Sequence, residues 1–284
     1  MDIGMEKVNW PEYYWDHLAK LESVCLEKNF SLMKGWDTLA EKCMLISIKA
    51  PFLLKELDKP LSLNVASVFM KRCMSDFRGA WWMLNLGYPY QAACIAASLY
   101  EHSLIVDCIS NRDDLARQVI ECKNGDIPWN PKKLAQMAAQ RDIYGSIGDE
   151  RSLDERPLKE RYNSAWRLSY HNYKLLCKMK HPTIQQLKEE AKNTKLPNGQ
   201  FVVVPKPFEL NNNMPVSHMI MIIMISRLFS AAKCFAMSVN LPVDDQNNIE
   251  FFNLCNEVYE LLLKNIENSD IKSLPIEVCD FSFS

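Results

Sequence analysis

The chain reads as all-α: an elongated multi-helix bundle with a small β-hairpin or extended insert near residues 196–206. Three observations carry that reading. Apolar side chains recur at helical spacing through most of the 284 residues. Glycine is scarce, at 8 residues, whereas all-β and Rossmann-type folds draw on it for their turns. A single run, Phe201-Val202-Val203-Val204-Pro205, has the composition of a strand, and the Asn198-Gly199 ahead of it suits a tight turn.

The elements are delimited by their end signals. Pro11 suits the first turn of a helix whose apolar spacing runs through Trp15, Leu18, Leu21 and Val24, resumes over Trp36 to Ile48 and is interrupted at Ala50-Pro51. A long helix spans about Ser62 to Leu86 and stops at Gly87, with Pro89 beyond it. The next runs from about Tyr90 to Ser110, and the short link between the two implies an antiparallel hairpin. Asp113 to Cys122 forms a short helix ended by Asn124-Gly125. Asn130-Pro131 caps and opens another, to about Tyr144, and a polar loop follows from Gly145 to Asp154. Arg156-Pro157 starts a long helix carrying Tyr162, Trp166, Tyr173 and Met179, which ends or breaks at His181-Pro182. After a further helix to about Lys195 and the β run, two more helices cover about Val216 to Val239 and Asp245 to Asn268. The tail to Ser284 has no period. No internal repeat or low-complexity linker divides the chain, so residues 1–284 read as one helical domain.

Composition narrows the function classes. With 48% hydrophobic and 24% charged residues, this is an ordinary soluble composition. The net charge of −2 supplies no global field toward nucleic acid or anionic lipid, so either would need a local patch. The 10 cysteines include no C-x-x-C pair, and Cys94, Cys108 and Cys122 recur every 14 residues. They read as small apolar residues in a reducing, cytoplasmic setting, with neither a metal site nor a cofactor expected. The N-terminus lacks the apolar run of a secretory signal. The most apolar stretch, Met219 to Ser226, is too short to span a bilayer, so no membrane partner is expected. No Gly-rich phosphate loop, H-E-x-x-H pair, G-x-S-x-G elbow or kinase motif set is present.

One residue stands out. At 100° per step, Glu101 falls on the same side of its helix as Cys94, Ala97, Ser98, Leu104, Ile105 and Cys108, with Ser103 and Asp107 opposite. A carboxylate in an apolar stripe is neutral or partnered. It is therefore either an acid/base group in a cleft or a structural carboxylate that fixes register. Arg78, just off the apolar edge of the preceding helix, is the expected partner, and Arg161 a second inward-reaching cation. Arg167 and His171, one turn apart beside Lys174 and Lys178, form either a solvated stripe or a basic site for RNA cleavage, with His as acid/base and Arg on the phosphate. His181 either caps carbonyls at its helix end or faces a cleft.

The stretch Arg78-Gly79-Ala80-Trp81-Trp82-Met83-Leu84-Asn85-Leu86-Gly87-Tyr88-Pro89, then Ala97-Ser98-Leu99-Tyr100-Glu101, resembles a family of uncharacterised, mainly bacterial all-helical proteins. In that family a long helix ends in Gly-Tyr, an Arg-Ser-Leu-x-Glu motif follows, and a later Tyr-rich helix ends in His with a small residue or Pro. Here that last segment runs from Tyr170 to His181-Pro182-Thr183. The likeness covers about residues 60–240, with the helices of 11–57 and 245–268 packed on that core. Ala97 stands where the family has Arg. The resemblance implies a fold and the candidates Glu101 and His181, but no reaction. A looser likeness, through Arg167 and His171, is to helical ribonuclease and toxin modules of bacterial conflict systems.

Three functional readings follow. The first is a cytosolic helical interaction or regulatory module, in a bacterial stress or defence setting, whose partner is another protein or a second copy of itself. The second is a metal-independent ribonuclease or toxin-like effector using Arg167, His171 or His181, with RNA on the local basic face. The third is a small-ligand sensor with Glu101, Arg78 and Tyr100 around a closed cavity.

Overall fold

The computed structural model describes residues 14–54, 60–123, 126–145, 156–180, 207 and 214–269. Among them the chain forms nine helices and no strand: α1 (Tyr14–Leu32), α2 (Lys34–Phe52), α3 (Leu61–Asn85), α4 (Pro89–Ile109), α5 (Asp113–Ile120), α6 (Pro131–Tyr144), α7 (Arg156–Lys180), α8 (Met214–Ser238) and α9 (Gln246–Glu267). The all-α expectation holds. The β insert expected near 196–206, the helix expected before it and His181 lie outside the described residues.

The helix ends follow local chemistry. Gly87 has a φ of 88°. Its N–H donates to Leu84 O at 3.0 Å and the Tyr88 N–H to Met83 O at 2.7 Å, which satisfies carbonyls left over at the end of α3. Asn130 Oδ1 accepts from the Lys133 N–H at 2.9 Å, and Pro131 occupies the first helical position, where its missing N–H costs nothing. Asp245 Oδ1 accepts from the Asn247 N–H at 2.9 Å at the start of α9. Ala50-Pro51 does not interrupt α2, which continues to Phe52. The helix has less than a turn left there, and Leu53 and Leu54 donate back to Ala50 O and Pro51 O at 3.2 and 3.4 Å.

The packing centres on α4. Helix α3 lies antiparallel beside it, and α8, α7 and α6 close its other sides. Helix α2 packs on α8, α9 on α2, and α5 on α3, while α1 touches α3 and α2 lightly. One contiguous apolar core joins α2 through α9, with α5 adding Leu115 and Ala116 and α7 adding Leu176. Phe77, Phe235 and Phe251 are fully enclosed in it, and each such burial contributes about 1.5–3 kcal/mol. Where α2 meets α9, a Cβ on Gly35 would stand 2.6 Å from Asn265 Oδ1. A Cβ there would push the Asn265 side chain aside and break the hydrogen bond that its Nδ2 donates to Gly35 O at 3.4 Å.

The length argument applied to Met219–Ser226 does not hold. That stretch is part of the 25-residue α8, and both α8 and α4 are long and apolar enough to cross a membrane. In each, 72% of the most apolar window is buried within the bundle, which is also how core helices look.

Candidate functional site

The surroundings of α4 reverse the expected faces of that helix. Glu101 is only partly buried and shares the most open side of α4 with Gln91, Cys94, Ser98 and His102. Asp107, expected on the outside, is 1% exposed, and every residue from Ser103 to Ser110 is buried. Four neighbouring helices leave the second half of α4 no solvent side, so its polar residues turn inward and its periodicity carries no direction.

Glu101 does not meet Arg78. Its Oε1 accepts from the Tyr173 hydroxyl on α7 at 2.6 Å, and among the described residues its Oε2 accepts no hydrogen bond. Burial, then contacts with Cys177 and Glu101, pushes the Tyr173 phenol well above the usual tyrosine range, so it stays protonated and donates. Arg78 is exposed and lies over the Trp82 ring at 5.0 Å. Arg161, expected to reach inward, is exposed. His102 pairs through Nδ1 with Asp76 Oδ2 at 2.8 Å.

Tyr100 is 1% exposed and ties α4 to α7 by another route. Its hydroxyl donates to Ser169 O at 2.7 Å. Arg227, on α8, lies over its ring at 5.1 Å. The same guanidinium donates from Nε to Ser103 Oγ at 3.0 Å and from Nη2 to Asp107 Oδ2. Arg141, from α6, donates to the backbone oxygen of Asp107, to Cys234 Sγ and to Asp142. Ser230 Oγ stands 3.3 Å from Asp107 Oδ2. Burial opposes the charge on Arg141, but the carboxylates of Asp107 and Asp142 counter it and the guanidinium is held above its ordinary range. Burial pushes the Cys234 thiol up to about 12 despite Arg141 beside it, so it is a neutral thiol rather than a nucleophile at pH 7. Two guanidiniums around one buried carboxylate and the exposed Asp142 leave no net charge to attract a ligand. The arrangement clamps α4, α6 and α8 together.

Sequence reasoning missed this clamp, although a signal was present. Asp107 is the lone charge in the apolar run Leu104 to Ile109, and Arg227 the first charge after the run Met219 to Ile225. Two single charges of opposite sign in two core helices point at each other.

The third feature is the outer face of α7. Seven of its residues are Lys or Arg and one, Glu160, is acidic. The basic residues and His171 are all exposed. Arg167, His171, Lys174 and Lys178 follow the three-and-four spacing of a single stripe. Aromatic rings interleave with them. Arg167 lies over the Trp166 ring at 5.6 Å, as does Lys132 of α6 at 5.5 Å. Its Nε1–H donates to Asn163 Oδ1 at 3.1 Å, which fixes the plane of the ring. Lys174 lies over Tyr170 at 5.3 Å, and Tyr170 stacks on Tyr173 with centroids 6.2 Å apart. Arg167 and His171 thus share an open stripe, and among the described residues no hydrogen bond joins either of them to Glu101. Of the three residues expected around a cavity, Glu101 is half-buried, Arg78 exposed and Tyr100 enclosed; Glu101 and Tyr100 both contact Tyr173, with the Tyr100 and Tyr173 rings 6.0 Å apart. Among the described residues no group of three His, Cys, Asp or Glu side chains gathers to hold a metal.

No protein-family model matches the chain, and no curated protein or solved structure matches it. The likeness to the uncharacterised helical family rests on its short motifs alone.

Proposed function

We propose that this protein is a helical interaction module whose working surface is the basic, aromatic outer face of α7 with the adjoining part of α6, and that it takes an anionic partner there. One observation carries the reading. A chain of net charge −2 places seven basic residues and one acidic residue on a single helix, and every one of those basic side chains is exposed. Such a concentration of one sign draws an oppositely charged partner and repels basic ones. The remaining polar groups supply architecture for that face. Asp107 with Arg227 and Arg141 locks the hub, while Tyr100 and the Glu101–Tyr173 hydrogen bond fix how α7 lies on α4. Glu101 is in this reading a positioning residue, since it holds the ring on which Tyr170 stacks.

The test is binding of fluorescent heparin, a polyanion without bases, followed by anisotropy at two salt concentrations. The wild-type protein binds, and more weakly at the higher salt, because paired counterions are released on association. A charge-reversed R167E/K174E/K178E variant loses at least tenfold in affinity. Wild-type affinity in that variant, with its helical content intact, overturns the reading.

A further inference from the structure

We infer that the anionic partner is a single-stranded nucleic acid, and that Trp166 and Tyr170 are the platforms on which its bases stack. The inference rests on the polyanion reading above and names the partner for the same face.

Charge alone does not separate a nucleic acid from an acidic protein segment. The interleaving does. An acidic peptide requires cations and nothing else, whereas a single strand offers alternating anionic phosphates and flat bases, which calls for cations and rings side by side. Helix α7 presents both in register. Trp166 and Tyr170 are four residues apart, about 6 Å along the helix axis. That spacing suits two neighbouring bases drawn apart from the roughly 3.4 Å of a stacked strand. The stripe from Arg167 to Lys178 runs about 16 Å beside them, room for roughly three to five phosphates at separations between those two values.

Both rings already carry a cation, and magnitudes decide what happens to it. An exposed cation over an aromatic face is worth about two- to fivefold in affinity, whereas a base stacked on such a face is worth about 5- to 100-fold. A base therefore displaces Lys132 from one face of Trp166. The freed ammonium stays tethered to α6 beside the strand, where it pairs with a phosphate. The same exchange moves Lys174 from Tyr170 to the backbone. Because the Asn163 hydrogen bond holds the edge of the Trp166 ring, little rotamer entropy is lost when the face is used.

A duplex is the poorer fit. Its bases are stacked on one another and offer these rings no face, so it engages the cations alone. Both rings are half-buried, Tyr170 packing on the core, and no described wall stands opposite their open sides, so selectivity for base identity is low, as expected where stacking replaces edge readout.

The experiment compares four labelled probes at fixed salt: a 12-nucleotide oligo(U), the matching oligo(dT), a duplex of the same length and oligo-glutamate, with heparin as reference. W166A weakens oligo(U) and oligo(dT) binding by about 5- to 100-fold and leaves heparin and duplex binding within twofold. W166F, which keeps a ring, restores most of the loss and shows that α7 still folds. R167E/K174E weakens every probe, and the logarithm of single-strand affinity falls with log salt at a slope near −3 for four paired phosphates. If heparin binds but W166A leaves the single strands unaffected, the stacking inference falls and the polyanion reading stands. If oligo-glutamate binds as tightly as oligo(U), the partner is an acidic protein. If no probe binds, both readings fall together.

Discussion

Two acidic residues on α4 show how far the same side-chain chemistry diverges with placement. Glu101 makes one hydrogen bond to a phenol at a half-open edge, whereas Asp107 answers two guanidiniums in the interior. Removing one partner of a buried ion pair leaves the other charge stranded, at a cost of about 3–5 kcal/mol. Removing an acceptor from a partly buried hydroxyl costs about 1–2 kcal/mol. D107A is therefore expected to lower the urea midpoint two to three times as far as E101A does, with unchanged slopes. Equal losses would mean that the clamp around Asp107 is already relaxed by water. The sequence reading singled out Glu101 and put Asp107 on the opposite, outward face. It ranked them the wrong way round because burial of a helix face depends on neighbours that lie far off in the chain.

At the scale of one element, end signals were legible and faces were not. Gly87, Asn130-Pro131 and the Asp245 cap act through bonds to residues two to five positions away, so their meaning is present in the local string. The left-handed backbone at Gly87 makes the α3–α4 turn sensitive to any side chain. G87A is expected to cost about 1–2 kcal/mol, read as a lower melting temperature with unchanged helical content. A neutral outcome would show that the turn re-forms with a different hydrogen-bond pattern. Helix α7 is the contrasting case. Its stripe of Arg167, His171, Lys174 and Lys178 was visible as a stripe, because surface helices keep their periodicity. The rings beneath its cations are local too, Trp166 under Arg167 and Tyr170 under Lys174, whereas Lys132, the second cation over Trp166, comes from α6 and was not readable from α7.

For the molecule as a whole, the thiols impose a direction on pH stability. Burial holds Cys43, Cys73 and Cys108 far above the ordinary thiol range and Cys255 at about 12. An unfolded thiol loses its proton near pH 8.5 while these keep theirs. Above that pH the unfolded state binds fewer protons, and stability falls as pH rises toward the folded values. The slope approaches about 1.4 kcal/mol per pH unit for each thiol. Urea midpoints measured from pH 7 to 10 should be flat up to about 8.5 and then drop steeply. Replacing Cys108 by Ala should lower the midpoint at pH 7 yet make the alkaline drop shallower. An alkaline limb of unchanged slope in that variant would place the pH sensitivity elsewhere. Of the three cysteines read from their 14-residue spacing as small apolar helix residues, Cys108 is buried, while Cys94 and Cys122 are half-buried and Cys122 lies beyond the end of α5. Which helices wrap α4 was not legible, since no local pattern names a partner on the far side of a bundle.

The pairing of Asp107 with Arg227 also sets a clock. The two residues are 120 positions apart, and a ribosome adding about 5–20 residues per second takes roughly 6–24 s to travel from one to the other. For most of that interval the emerging chain holds an apolar helix whose carboxylate has Arg141 within reach but still awaits Arg227. The hub of the bundle is among the first helices made and among the last to be completed. Nascent chains halted before α8 should therefore expose the surface of α4 to the chaperones that patrol the exit tunnel.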